Sequence, residues 1–153
     1  MEVYRIVHLR RSKKLEASGN EARWNSAGNY CIYTSGTRAL ACLENIVHRS
    51  GEGLSEMFRT MVIEIPFSIR MEIFDTKKLP DNWQAAENYF ITQRLGDEWL
   101  RRNERAVMKV PSAIIPQEFN YLVNPRHRDF KKIKLKKVEL FQFDARITHR
   151  KIK

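Results

Sequence analysis

Short stretches rich in Val, Ile, Phe and Tyr punctuate this chain, bounded by Pro, Gly, Asn or Asp. They are Glu2 to Leu9, Tyr30 to Thr34, Met61 to Ile65, Met71 to Phe74, Ala106 to Val110 and Val138 to Phe143. β-Branched and aromatic residues in runs of this length predict strands. Helical spacing occurs twice. Thr37 to Arg49 ends at the glycine-rich stop Ser50-Gly51-Glu52-Gly53. From Trp83 to Arg102, the residues Trp83, Ala86, Tyr89, Phe90, Trp99 and Leu100 recur near three and four apart, with Gly96 as a weak point. In Lys131-Lys132-Ile133-Lys134-Leu135-Lys136-Lys137 the apolar residues fall two apart, which is strand spacing with lysines outward, as at a guarded sheet edge. Many short strands with few helices predict an α+β fold with a largely antiparallel sheet, or split sheets.

At 153 residues the chain suits one domain, residues 1–153, and no repeat or Pro/Gly-rich linker divides it. Apolar residues make up 42%, a globular composition. The longest apolar run, Ala39-Leu40-Ala41-Cys42-Leu43, falls far short of the ~20 residues that span a bilayer. Glu2, Arg5, Arg10 and Arg11 precede no apolar stretch, so the N-terminus does not read as a secretory signal. Two cysteines, Cys31 and Cys42, make neither a disulfide framework nor a zinc site. The expectation is a soluble, reduced, cytoplasmic protein without membrane contact. The net charge of +10 is uneven, because residues 126–153 hold eleven basic residues against three acidic ones. A basic C-terminal segment can grip nucleic-acid phosphates, dock an acidic protein or guard a solvated strand edge. The lysines lack interleaved stacking aromatics, which weakens the nucleic-acid or nuclease reading.

The first helix carries candidate chemistry. On a wheel of about 100° per residue, Leu40, Leu43 and Val47 fall within about 60° and predict the buried face. Glu44 lies about 40° beyond Leu40, on the shoulder, with His48 one turn later. Such a pair is ordinary at a helix surface; aimed into a cleft, the carboxylate can stabilise developing positive charge or activate a nucleophile. Ahead of the helix, Ala22-Arg23-Trp24-Asn25-Ser26-Ala27-Gly28 is a polar loop in which Arg23 offers a phosphate-binding fork beside an aromatic. Ser112 stands between Pro111 and Pro116 on a stiffened segment, without the Gly-x-Ser-x-Gly elbow of a hydrolase nucleophile. Walker, Rossmann and zincin motifs are absent, and His8, His48, His127 and His149 show no metal-ligand spacing.

Taken in order, five segments resemble the RES domain family. They are Arg23-Trp24-Asn25 with Gly28; Ile32-Tyr33-Thr34-Ser35; Ala39-Leu40-Ala41 with Leu43-Glu44; Val110-Pro111-Ser112-Ala113; and Glu118, Asn120, Leu122, Asn124-Pro125 and His127. The family is named for an Arg, a Glu and a Ser, which match Arg23, Glu44 and Ser112, and the resemblance runs from about Tyr4 to His127. It implies the toxin of a bacterial type II toxin–antitoxin pair, with an ADP-ribosyltransferase-like α+β core of short, mainly antiparallel strands in a split sheet and a few flanking helices. It further implies NAD as substrate rather than cofactor, and no metal. The partner would be an Xre-like antitoxin, with DNA met only through it.

The resemblance also implies roles. The nicotinamide–ribose bond is cleaved through an oxocarbenium-like state, with water or inorganic phosphate as acceptor, or a protein in the alternative of an ADP-ribosyltransferase. Glu44 would stabilise the cation, Arg23 grip the pyrophosphate, and Ser112 bind substrate or orient Glu44. Tyr33 would line the nicotinamide pocket and Arg5 supply a second phosphate contact, with Asn25 a further substrate-binding candidate. Asn120, Asn124 and His127 read as supports of the Ser112 loop. Where the family usually has glycine before the Arg-Trp-Asn, this chain has Glu21-Ala22, and an inward Glu21 would oppose substrate charge.

Overall fold

A computed structural model describes residues 1–48 and 57–148. Among these residues, seven strands and two long helices form an α+β fold. The strands are β1 (Glu2–His8), β2 (Ile32–Ser35), β3 (Phe58–Glu64), β4 (Glu72–Ile73), β5 (Val107–Pro111), β6 (Phe119–Val123) and β7 (Lys134–Phe141), with helices α1 (Arg38–His48) and α2 (Tyr89–Arg102) and a short α3 (Ala145–Thr148). The sheet order is β4-β5-β6-β2-β1-β3-β7, and among the described strands only β4 and β5 run parallel. Within this single sheet a seam lies between β1 and β2, joined at the one pair Tyr4↔Ser35, whereas β1 and β3 pair along seven residues from Glu2↔Glu64 to His8↔Phe58.

Alternation along the strands divides the core between two faces. On one face Val3, Val7, Ile32, Met61, Ile63, Val107 and Val123 pack together. On the other, α2 buries Trp99 and Leu100 against Trp24, Met108, Val110 and Leu122, while α1 lays Ala41 on Ile6 and Phe58. Each large apolar side chain so buried contributes roughly 1.5–3 kcal/mol.

Several elements differ from the sequence expectation, for physical reasons. The second helix starts at Tyr89 rather than Trp83. Residues 80–88 form tight turns, and the carbonyls of Trp83 and Gln84, which a helix would give to residues 87 and 88, accept instead from Arg23 at 2.9 and 2.7 Å. Strand β6 was not anticipated. The lysine-rich stretch and the Val138 run merge into β7, which does stand at the sheet edge. There Lys136 pairs with Glu2, Lys137 with Glu139 and Lys132 with Asp129, which spends much of the charge a nucleic-acid grip would need.

The face of α1 is the main correction. Leu40 is fully buried, but Leu43 and Val47 are 38% and 58% exposed. The inward arc runs instead from Leu40 through Glu44 and Ala41 to Asn45, whose Nδ2 donates to the Ile6 carbonyl at 3.0 Å. Glu44 therefore lies within the face that meets the sheet. Thr37 caps the helix, its Oγ1 accepting from the Leu40 N–H at 3.0 Å. Arg38 ties the first turn to β7 through Glu139 and stacks over Tyr4. Arg49, the Ser50 to Gly53 stop and the last residues of the basic tail, 149–153, lie outside the described residues.

Candidate active site

Three elements converge on Glu44. Its Oε1 accepts from Ser112 Oγ at 3.0 Å, just past β5, and from Asn120 Nδ2 at 2.6 Å on β6. Its Oε2 lies 3.2 Å from His48 Nε2, one turn on along α1. Each donor is itself held. Ser112 is fully buried; its Oγ accepts from the N–H groups of Ile114 and Ile115 at 3.1 and 3.2 Å, which fixes where its own proton can go. Asn120 Oδ1 accepts from Ser35 Oγ at 2.8 Å, so the amide must present its Nδ2 to the carboxylate. Burial of the Glu44 carboxyl raises its pKa, but the hydrogen bonds from His48, Asn120 and Ser112 and the His48 charge outweigh it, and the group sits below its ordinary value. The result is an oriented carboxylate, ionised at neutral pH, with 20% of its side chain open to solvent.

Arg23 stands on the same face of the sheet. Besides its two bonds to the Trp83 and Gln84 carbonyls, its guanidinium lies 4.1 Å from the Tyr89 ring centroid and 5.5 Å from that of Trp83. Among the described residues, two of its five N–H donors are committed and three remain. The loop that carries it is clamped onto α2. Gln93 Nε2 donates to the Ala22 carbonyl at 3.0 Å, and Asp97 accepts from Ser26 Oγ at 2.5 Å and Ser26 N at 3.1 Å. Gly96 explains itself here, since a Cβ would stand 1.8 Å from the Trp24 carbonyl oxygen. What reads as a weak point of the helix is the contact that lets loop backbone and helix touch. Glu21 is exposed, so it does not turn its charge inward, and Ala22 pairs with Asn25 across a small bridge.

Other sequence candidates take different places. Asn25 is 1% exposed, and its Nδ2 serves the carbonyls of Asn20, Ser26 and Asn29. Tyr33 donates its hydroxyl to Asn25 Oδ1 at 2.7 Å and accepts from Trp24 N at 3.0 Å. Burial holds this phenol well above its ordinary pKa. Both brace the Arg23 loop. Arg5 shares a face of β1 with Val3 and Val7, opposite Ile6 and α1, and donates to the Glu16 carbonyl at 3.0 Å. Burial pulls its pKa down, and it lies beside Cys31, whose thiol burial pushes well above its ordinary value. His127 is not at Glu44: Asn120 and Asn124 are four residues apart on and just past β6, roughly 13 Å along the strand, and His127 lies beyond Asn124. Sequence reasoning missed Ser35, Tyr89 and the direct bond from Asn120 to Glu44. Ser35 and Asn120 stand opposite each other in the β2–β6 register, a pairing the motif order alone does not reveal.

The RES domain family matches residues 2–144. The chain belongs to the RES domain family. A Sphingobium sp. protein named Prs ADP-ribosylating toxin is 36% identical over 127 residues, 82% of this chain and 79% of its own. A Yersinia enterocolitica protein named Toxin Res is 34% identical over 154 residues, 96% of this chain and 99% of its own. A chain of the M. tuberculosis MbcT–MbcA toxin–antitoxin complex shares the fold, with a TM-score of 0.72 at 14% identity, covering 92% of this chain and 84% of that one. Among the described residues, no helix is long and apolar enough to cross a membrane.

Proposed function

We propose that this RES toxin depletes NAD by cleaving its nicotinamide–ribose bond, with Glu44 as the catalytic carboxylate. The observation that carries the reading is the fixed, ionised Glu44 between Ser112, Asn120 and His48. When the C1′–N bond breaks, the electron pair leaves with nicotinamide, which departs neutral, and C1′ becomes oxocarbenium-like. A carboxylate beside it stabilises that charge, and one whose donors are already in place reorganises little as the charge develops. Oε1 is occupied by two donors; Oε2, shared with His48, keeps a lone pair for the ribose 2′-hydroxyl. The acceptor, water or inorganic phosphate, then bonds to C1′ through an oxygen lone pair, and the proton it sheds passes to solvent.

Ser112 and Asn120 serve as positioning residues for Glu44. The free donors of Arg23 suit the pyrophosphate, in the charge-assisted pairing that a guanidinium fork favours. Tyr33 and Asn25 act by holding that loop. Arg5, on the other face, has no part in the reading. The protein works without a cofactor, NAD being substrate, and an Xre-like antitoxin is the proposed partner that restrains it in the cytoplasm. The test is NAD concentration over time with purified protein, with and without inorganic phosphate. Nicotinamide release that Glu44→Ala abolishes supports the reading, and retained turnover in that variant overturns it.

A second reading keeps the cleft and changes the acceptor to a protein side chain. The relative named as an ADP-ribosylating toxin favours it. Label from adenine-labelled NAD appearing on protein, rather than as free ADP-ribose, distinguishes the two.

A further inference from the structure

The turn beyond β6 builds a second cluster that the catalytic reading leaves unused. Asn124 is fully buried; its Nδ2 donates to Asn103 Oδ1 at 2.9 Å, and its Oδ1 accepts from Arg126 N at 3.0 Å. Asn103, in the left-handed conformation at φ 52°, closes α2 by donating to the Trp99 carbonyl. This clamp brings the C-terminal end of α2 against the turn that carries Arg126 and His127. A groove of about 860 Å³ opens there, within the size range of small-molecule sites, and shares Asn103 and Arg126 with a neighbouring hollow of about 640 Å³.

The groove is lined for an anion. Arg94 and Arg101 face it from α2 and Arg126 from the turn, and among the described residues none of the three guanidiniums has a hydrogen-bonding or ion-pairing partner. Two carboxylates line the same groove: Asp97, which keeps its charge while accepting from Ser26, and Glu98, which lies 3.9 Å from Arg102. Phe90, 66% exposed, lies four residues before Arg94 on the same stripe of α2. His127 borders the neighbouring hollow and is 9% exposed. Its Nδ1 accepts from Asp129 N at 3.0 Å, so the neutral ring carries its proton on Nε2, which has no partner among the described residues.

We propose that this groove is a second ligand site and binds a nucleoside polyphosphate, its phosphates on Arg94, Arg101 and Arg126 and its base against Phe90. Three guanidiniums against the two carboxylates Asp97 and Glu98 leave the hollow with a positive balance, which a multivalent anion offsets while using the guanidinium fork geometry. The in-line aromatic supplies a face for a base, which an inorganic anion or a carboxylate does not need. From Phe90 to Arg101 the helix rises about 16 Å, enough to span a base, a ribose and a short run of phosphates. The site is separate from Glu44, so it does not rest on the proposed NAD chemistry.

The test is titration of the full chain with a fluorescent ATP analogue, alongside inorganic triphosphate as competitor and a labelled single-stranded RNA. Saturable binding is expected, weakened about tenfold or more by Arg101→Glu with Arg126→Glu. Phe90→Ala is expected to weaken the nucleotide while leaving triphosphate competition unchanged. These side chains are exposed, so the variants are expected to fold, and Arg101→Gln with Arg126→Gln repeats the test without reversing charge. No saturable binding, or binding that neither arginine pair alters, overturns the proposal. Binding of the RNA alone also overturns it, by assigning the groove to a polymer.

Discussion

Glu44 keeps its charge because Ser112, Asn120 and His48 face it from three directions. Its folded-state pKa lies below its ordinary value, so the ionised form adds stability above the ordinary Glu range, and that stability is lost as pH falls through the folded value. Nicotinamide release is accordingly expected to persist below the ordinary Glu range, with its acid limb moving upward in Asn120→Ala. A pH–rate profile of both proteins checks this; an unmoved limb means that Glu44 ionisation is not what the limb reports. Ser112→Ala removes one donor from the carboxylate and leaves two half-buried N–H groups, of Ile114 and Ile115, without their acceptor. Its expected cost is about 1–3 kcal/mol, read by urea unfolding. At this scale the sequence was legible in residue type: Arg23, Glu44 and Ser112 stood out. Which atom bonds which did not, because donors 68 and 76 residues from Glu44 meet it only through the sheet.

Each helix shows local preference giving way to packing. Alanine favours a helix interior over glycine by about 1 kcal/mol, so propensity alone predicts that Gly96→Ala stabilises α2. The Trp24 carbonyl oxygen, 1.8 Å from where that Cβ would stand, reverses the sign. A net loss of about 1–3 kcal/mol is expected on urea unfolding, because helix and loop must part. The same shift moves Arg23, so the variant's KM for NAD should rise more than its kcat falls; a kcat-only effect would detach the loop from substrate binding. In α1 the wheel chose Leu40, Leu43 and Val47, whereas the sheet meets Leu40, Ala41, Glu44 and Asn45. Apolarity alone misplaced the face because Glu44 and Asn45 find donors and acceptors inside that exposed Leu43 and Val47 do not need. Strand β6 escaped notice since its Tyr121-Leu122-Val123 run is brief and lies within a motif read for its polar residues.

Across the whole molecule, the sheet has one seam and a guarded edge. β7 shows solvent Val138 and Leu140, 40% and 61% exposed, on a strand whose outer edge pairs with no described strand. Lys134 and Lys136 discourage a second chain from adding there. Replacing both with Val is expected to turn the protein into dimers or larger aggregates, seen by light scattering and suppressed in wild type. A monomeric variant would mean that edge charge is not what prevents pairing. The lysine alternation is legible in the sequence as an edge strand, because two-residue periodicity with charges outward is strand spacing with one solvated face.

The α+β class, most strand positions, the basic edge and the order of motifs that marks the RES family are legible along the chain. Those properties follow from periodicity, local propensity and residue order, all of which are local in the chain. Only packing turns Glu44 inward, spends two donors of Arg23 on the turn carbonyls of Trp83 and Gln84, puts Arg5 across the sheet, and sets His127 beside a hollow that shares Arg126 with the arginine-lined groove. Each of these depends on groups scores of residues apart meeting through sheet order and register, and contacts of that kind are set by the packing of the whole domain.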